Sequence, residues 1–189
     1  MKSLKIIVFV VCLGLASGGL LVALNDYTAP IIAKNEDLKF KSSLLDALDI
    51  DYSRSGADAA FEANVEELSH NGLTVYRYLD KAVAFEFRGP GLWGPISGIL
   101  SMTPYLDTIL NIKILHQEET PGLGGRIVEQ GFLKQFRGKK VSPSLVFRPQ
   151  GKAVLDNEVD AITGATGTSK ALERLLNETI TRYRTEGRR

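Results

Sequence analysis

The apolar positions of this 189-residue chain change rhythm repeatedly along its length. Ile6 to Leu24 is a 19-residue run without a charge, which suits a membrane-crossing helix of roughly 20 residues. Pro30 is expected to interrupt it, and Ile31 to Leu48 then reads as a second, amphipathic helix with Leu44, Leu45 and Leu48 as its buried stripe. Asp51 to Ala60 loses all periodicity, and Ser53-Arg54-Ser55-Gly56 reads as a surface loop; Phe61 to His70 has room for one helical turn. From Leu73 the period shortens to two. Leu73–Leu79 and Ala82–Phe87 predict a hairpin joined at Asp80-Lys81, with Val83, Phe85 and Phe87 on one face. Ile96–Met102 and Thr108–Leu115 predict two more strands, linked by residues 103–107, with Ile109, Ile112 and Ile114 as core candidates. Val128–Phe136 predicts a short helix, and Leu145–Arg148 and Ala153–Leu155 predict short strands. Ala171, Leu172, Leu175, Leu176, Ile180 and Tyr183 recur three and four apart and predict a closing amphipathic helix, with Thr168 or Ser169 as its N-cap. The pattern as a whole predicts an α+β fold: residues 1–26 a transmembrane anchor, 27–70 an amphipathic helix and linker, and 71–189 one domain with a largely antiparallel sheet and helices.

Charge and composition narrow the function by exclusion. Formal net charge is +1, and without Lys2 and Lys5 the remainder is −1, so there is no basic face for nucleic acid. Those two lysines precede the apolar run and place the N-terminus in the cytoplasm and the following domain outside it. A cleaved signal peptide ending near Ala16-Ser17-Gly18 is the rival reading, but the apolar run continues to Leu24, past a usual signal core. Cys12 is the lone cysteine, and His70 and His116 are far apart and read as strand-end or loop residues. No disulfide and no Cys/His metal cluster are expected, nor any metal ligand set, and redox chemistry would need an organic cofactor.

Three irregular stretches carry the candidate chemistry. Gly89-Pro90-Gly91-Leu92-Trp93-Gly94-Pro95-Ile96 reads as a fixed loop around the single Trp; glycine admits a flat ligand close to the backbone and Trp can cover a ring, although a Trp plugging the core is the plainer reading. Glu119-Thr120-Pro121-Gly122-Leu123-Gly124 opens with a turn. Asp160-Ala161-Ile162-Thr163-Gly164-Ala165-Thr166-Gly167-Thr168-Ser169 runs straight into the last helix, whose N-terminal amides can hold a phosphate. It lacks the Gly-Lys-Ser/Thr of a P-loop, and taken alone it is more often an ordinary helix-capping turn.

Together, in this order and spacing, the motifs resemble the C subunit of the Na+-translocating NADH:quinone oxidoreductase, a relative of the G subunit of the Rnf complex within the covalent FMN-binding domain family. Leu44-Leu45-Asp46-Ala47-Leu48 and the preceding span resemble the N-terminal region of that C subunit. The resemblance implies FMN attached through its phosphate to Thr166, the last residue of Thr163-Gly164-Ala165-Thr166, with Thr168 nearby. It implies ring contacts from Leu92, Trp93 and Leu123, and hydrogen bonds from Glu119 and Thr120 in the turn completed by Gly122. It implies one-electron transfer within a membrane ion-translocating enzyme, with no catalytic residue of the chain's own. It further implies other membrane subunits and a flavin transferase as partners, and a single-pass place in the bacterial inner membrane with the C-terminal domain periplasmic. The G subunit of Rnf, a free-standing FMN-domain protein, and a cofactor-free anchored binding module are the alternatives.

Overall fold

The computed structural model describes residues 2–53 and 56–186; Arg54 and Ser55 of the expected surface loop lie outside the described residues. The chain divides into two units, Met1–Lys39 and Phe40–Arg189.

Helix α1 (Lys2–Ala47) supplies all the described residues of the first unit and the opening turns of the second. Its apolar stretch is long enough to cross a membrane, and its large side chains from Leu4 to Ile32 are exposed. Pro30 lies inside this helix and does not end it, contrary to the expected break. A proline removes one hydrogen bond and costs about 3 kcal/mol in a helix interior. Long helical segments on either side offset that loss, and the Thr28 hydroxyl adds a bond to the Leu24 carbonyl at 2.9 Å. The helix stops instead at a Schellman motif. Asp49 takes a left-handed φ of 54°, Ile50 N donates to Leu45 O at 3.0 Å, and Asp49 N donates to Asp46 O at 3.4 Å.

In the second unit the last turns of α1 bury Leu44, Leu45, Ala47 and Leu48 against one face of a five-stranded antiparallel sheet. The sheet runs in sequence order: β1 (Glu66–His70), β2 (Leu73–Tyr78), β3 (Ala82–Pro90), β4 (Pro95–Met102) and β5 (Ile109–Gln117). Helix α2 (Ala57–Asn64) shares that face through Ala57 and Phe61. Thus the stretch expected to be a linker holds a helix, whose last turn over residues 61–64 is the helical turn expected within 61–70, while residues 66–70 form a strand that was not expected. Glu66-Glu67-Leu68-Ser69-His70 is an edge strand with only Leu68 half-buried, which leaves no apolar alternation to read.

The opposite face carries Phe85, Phe87, Ile96, Leu100, Met102 and Ile112, with Val83 beside them. Helix α4 (Thr166–Glu186) covers it with all six predicted apolar positions, and Tyr183 stacks on Phe85 at 4.1 Å between ring centroids. Between β5 and α4 the chain winds through a 3₁₀ turn (Gly124–Val128), α3 (Gln130–Leu133) and a second 3₁₀ turn (Lys134–Phe136). It then forms a short parallel pair, β6 (Val146–Arg148) with β7 (Glu158–Asp160). No strand forms over Ala153–Leu155 as expected. The Val154 and Leu155 amides instead donate to the buried Glu158 carboxylate at 3.0 and 3.1 Å, in a turn that leaves both apolar side chains exposed.

The Glu158 carboxyl is held down at about 2, chiefly by the Val154 amide, then by the Arg148 guanidinium at 2.6 Å and the Leu155 amide, against the opposing effect of burial. The basic turn at 137–140 is more than a solvated patch: Arg137 Nη2 donates to both Asp49 carboxylate oxygens at 2.8 Å, and Lys140 lies 3.8 Å from Asp107.

Candidate functional site

The three irregular stretches converge. The first is the tip of the β3–β4 hairpin. The strands extend further than the sequence suggests, with Pro90 opposite Pro95, so the loop shrinks to residues 91–94. Pro90 is tolerated because β3 beyond Phe85 pairs only with β4, and Pro95 because β4 pairs with β5 only from Ile96 onward. Gly91 N donates to Gly94 O at 2.8 Å and closes the tip. Trp93 is 75 % exposed there, so it does not plug the core; Leu92 is 53 % exposed.

The second is the turn after β5. Gly122 takes a φ of 74°, which strains any other residue, and lets Gly125 N reach back to Thr120 O at 2.9 Å. Thr120 faces solvent, and Leu123 is 46 % exposed. The Glu119 side chain turns the other way and is buried.

The third is the turn into α4. Ala165 N donates to Ile162 O and Ser169 N to Ala165 O, both at 3.0 Å, so the helix begins at Thr166. The expected N-caps therefore sit inside the first turn. Thr168 and Ser169 are buried, and their hydroxyls have other work. The Ser169 hydroxyl donates to Ala165 O and accepts from Ile162 N, at 2.9 and 3.1 Å, holding the turn closed. The Thr168 hydroxyl donates to Glu119 Oε2 at 2.6 Å. The Thr163 hydroxyl is engaged by Gln150 Oε1. Thr166 stands apart from these threonines: it is exposed, takes no part in these bonds, and holds the helix's first position, where amides lack internal partners.

The side chains of the first two loops rim this turn. A methyl group placed on Gly167 would lie 2.7 Å from Leu92 Cδ2, and one on Gly164 would lie 3.3 Å from Leu123 Cδ2. Leu92 and Leu123 thus flank the turn into α4 from opposite loops, with Trp93 next to Leu92 on the hairpin tip. The set fits FMN: apolar side chains for a flat ring system, an exposed hydroxyl, and a helix start for a phosphate. On the Thr163 side lies a cleft of about 190 Å³ lined by Arg126, Phe132, Gln135, Gln150 and Asp160. Asp160 Oδ1 accepts from the Lys152 and Ala153 amides at 3.0 and 2.9 Å; led by the Ala153 amide, these bonds hold its carboxyl below the usual range although burial opposes them. Among the described residues no group of His, Cys, Asp and Glu side chains is arranged to hold a metal.

Glu119 is where sequence reasoning stopped short. Its carboxylate is already taken by the protein: Oε1 accepts from the Leu92 and Trp93 amides at 2.7 and 3.1 Å, and Oε2 from Thr168. Burial pushes its pKa up and is the largest single influence. The bonds from Thr168 and the Trp93, Leu92 and Gly94 amides together outweigh burial and leave the carboxyl below its ordinary range. Only the flanking glycines hinted at such crowding, since side chains at Gly91 and Gly124 would collide with this carboxylate.

Residues 91–181, which hold these features, match the family of FMN-binding domains. More particularly, the chain is similar to the C subunit of the Na(+)-translocating NADH-quinone reductase. That subunit from Chlamydia caviae is 31 % identical over 125 residues, 55 % of this chain and 39 % of the relative. Its counterpart from Pasteurella multocida is 36 % identical over 95 residues, 48 % of this chain and 36 % of the relative. The crystal structure of the counterpart from Parabacteroides distasonis superposes with a TM-score of 0.70 at 26 % identity, over 81 % of this chain and 93 % of that one. The matched stretches span less than two fifths of the length of the two curated relatives.

Proposed function

We propose that the chain carries FMN as a phosphoester on Thr166 and serves as an electron-carrying subunit of a membrane ion-translocating NADH:quinone oxidoreductase. The observation that carries this reading is the selection among hydroxyls. Thr163 and Thr168 are engaged, Ser169 is buried, and Thr166 is presented at a helix start between Leu92 and Leu123. The similarity to the C subunit supports the assignment of the complex.

Each part of the site has a role in that function. The α4 amides, which carry a partial positive charge, would receive the phosphodiester. Leu92, Trp93 and Leu123 would cover apolar ring surface and exclude water. Thr120 and Gly122 would lie along the cofactor's edge, and Gly164 and Ala165 keep the turn slim enough for approach. FMN, when bound, supplies reversible electron uptake and release; the protein holds it in place. A tether suits a domain outside the cytoplasm, because a detached flavin would be lost to bulk solvent. In this reading α1 crosses the inner membrane once, residues 1–26 are the anchor, and 71–189 the periplasmic FMN domain. Other membrane subunits are the electron partners, and a separate flavin transferase installs the cofactor.

The test is co-expression with a flavin transferase, comparing Thr166→Val with Thr168→Val. The first should lose flavin from the peptide that contains it; the second should keep it. Flavin retained on the first and absent from the second would move the acceptor by two residues.

A further inference from the structure

We propose that Glu119 is a positioning residue, a buried two-ended staple that fixes the Leu92–Trp93 tip over the first turn of α4 and so sets where the cofactor ring is held. This deepens the proposed function and rests on it. The staple joins segments distant in sequence: its one carboxylate accepts from two amides of the hairpin tip and from a hydroxyl in the first turn of the last helix. The Glu119 backbone is itself fixed, its amide donating to Gln117 Oε1 at 2.7 Å.

Little else restrains the tip. Leu92 and Trp93 are more than half exposed, so apart from the close approach of Leu92 to Gly167 little packing holds them, and the Gly91–Gly94 bond closes the loop without docking it on α4. The carboxylate's surroundings admit one arrangement, since a methyl on Gly91 would strike Oε1 and one on Gly124 would strike Thr168 Oγ1 and lie 2.8 Å from Oε2. Glu119 is 4 % exposed and forms no ion pair with a cation among the described residues. Burying a carboxylate without a counter-charge is costly, and here the Leu92 and Trp93 amides and the Thr168 hydroxyl offset that cost. What a terminal group with two polar atoms at this length adds is simultaneous reach to two elements.

The full-length chain in detergent provides the test, because Trp93 is its only tryptophan. In flavin-free protein, time-resolved anisotropy of Trp93 reports the tip directly. Glu119→Gln keeps the length and the acceptor for the tip amides, and the Thr168 hydroxyl can reverse to accept from its amide; it should match wild type. Glu119→Ala removes the link, and Glu119→Asp keeps the charge but retracts it by about one carbon–carbon bond; both should lose the restricted component of the decay. If Glu119→Ala does not fold, Glu119→Asp carries the comparison. In flavinylated protein, Glu119→Asp should retain flavin by mass yet lose flavin quenching of Trp93 emission and alter the visible circular dichroism of the flavin. Identical Trp93 anisotropy in wild type, Asp and Ala variants overturns the proposal. A wild type that takes up no flavin defeats the functional reading instead and leaves the anisotropy result standing.

Discussion

At the residue scale, three threonines within six positions differ in surroundings rather than chemistry. Thr168 shows why a sequence motif alone misassigns roles: it reads as a helix cap, whereas its hydroxyl is spent on Glu119 inside the fold. Thr168→Val therefore leaves a buried carboxylate oxygen short of a donor. It should lower stability by about 1–3 kcal/mol in urea unfolding while leaving flavin attachment intact. A loss below about 0.5 kcal/mol would mean the bond is replaced by water.

Glu158 makes a prediction with a definite sign. Its folded pKa, about 2, lies below the ordinary 4.5, so the stability it contributes is present above pH 4.5 and is lost as pH falls toward 2. Glu158→Gln should be less stable than wild type at neutral pH, and the gap should narrow across that acid window. A gap that stays constant from about pH 7 down to the folded pKa of about 2 would contradict the assignment.

At the scale of elements, the central strands and α4 were legible because their apolar periods are long and regular. Val83, Phe85 and Phe87 do share a face, and every apolar position read on α4 is buried. What escaped was set by polar side chains acting over long separations. Asn177 on α4 accepts from Leu145 N and donates to Leu145 O at 2.9 and 2.8 Å, mimicking a strand partner beside β6. Arg184 caps the Leu106 and Val141 carbonyls, and Tyr183 donates to Thr74 O at 3.1 Å. No local pattern encodes such pairs. Nor does it encode β1, whose polar residues are strand only because β2 offers them an edge. Asn177→Ala leaves two backbone groups of Leu145 unpaired and should cost about 1–3 kcal/mol by thermal or urea unfolding. It should also raise amide exchange around residues 145–147 before the sheet opens.

At the scale of the whole molecule, the candidate site was visible as three motifs, but their meeting was not. The sequence places Leu92, Leu123 and Thr166 on separate loops, and only the hairpin, the turn after β5 and the start of α4 bring them together. Glycine's lack of a side chain permits that approach: Gly167 yields to Leu92 and Gly164 to Leu123. In the proposed topology the polarity of α1 decides which side of the membrane this site faces. With Cys12 replaced by Ser, a cysteine introduced at exposed Asp80 should react with an impermeant thiol reagent in intact spheroplasts. Labelling only after lysis would reverse the orientation.

The central claim, flavin bound covalently at Thr166, is tested most directly on the wild-type chain co-expressed with a competent flavin transferase. After denaturing electrophoresis the band should fluoresce under ultraviolet light, and tandem mass spectrometry should place an FMN adduct on Thr166. A dark band of unmodified mass, under conditions where the same transferase loads a known acceptor, would contradict the account and leave an anchored module without covalent flavin.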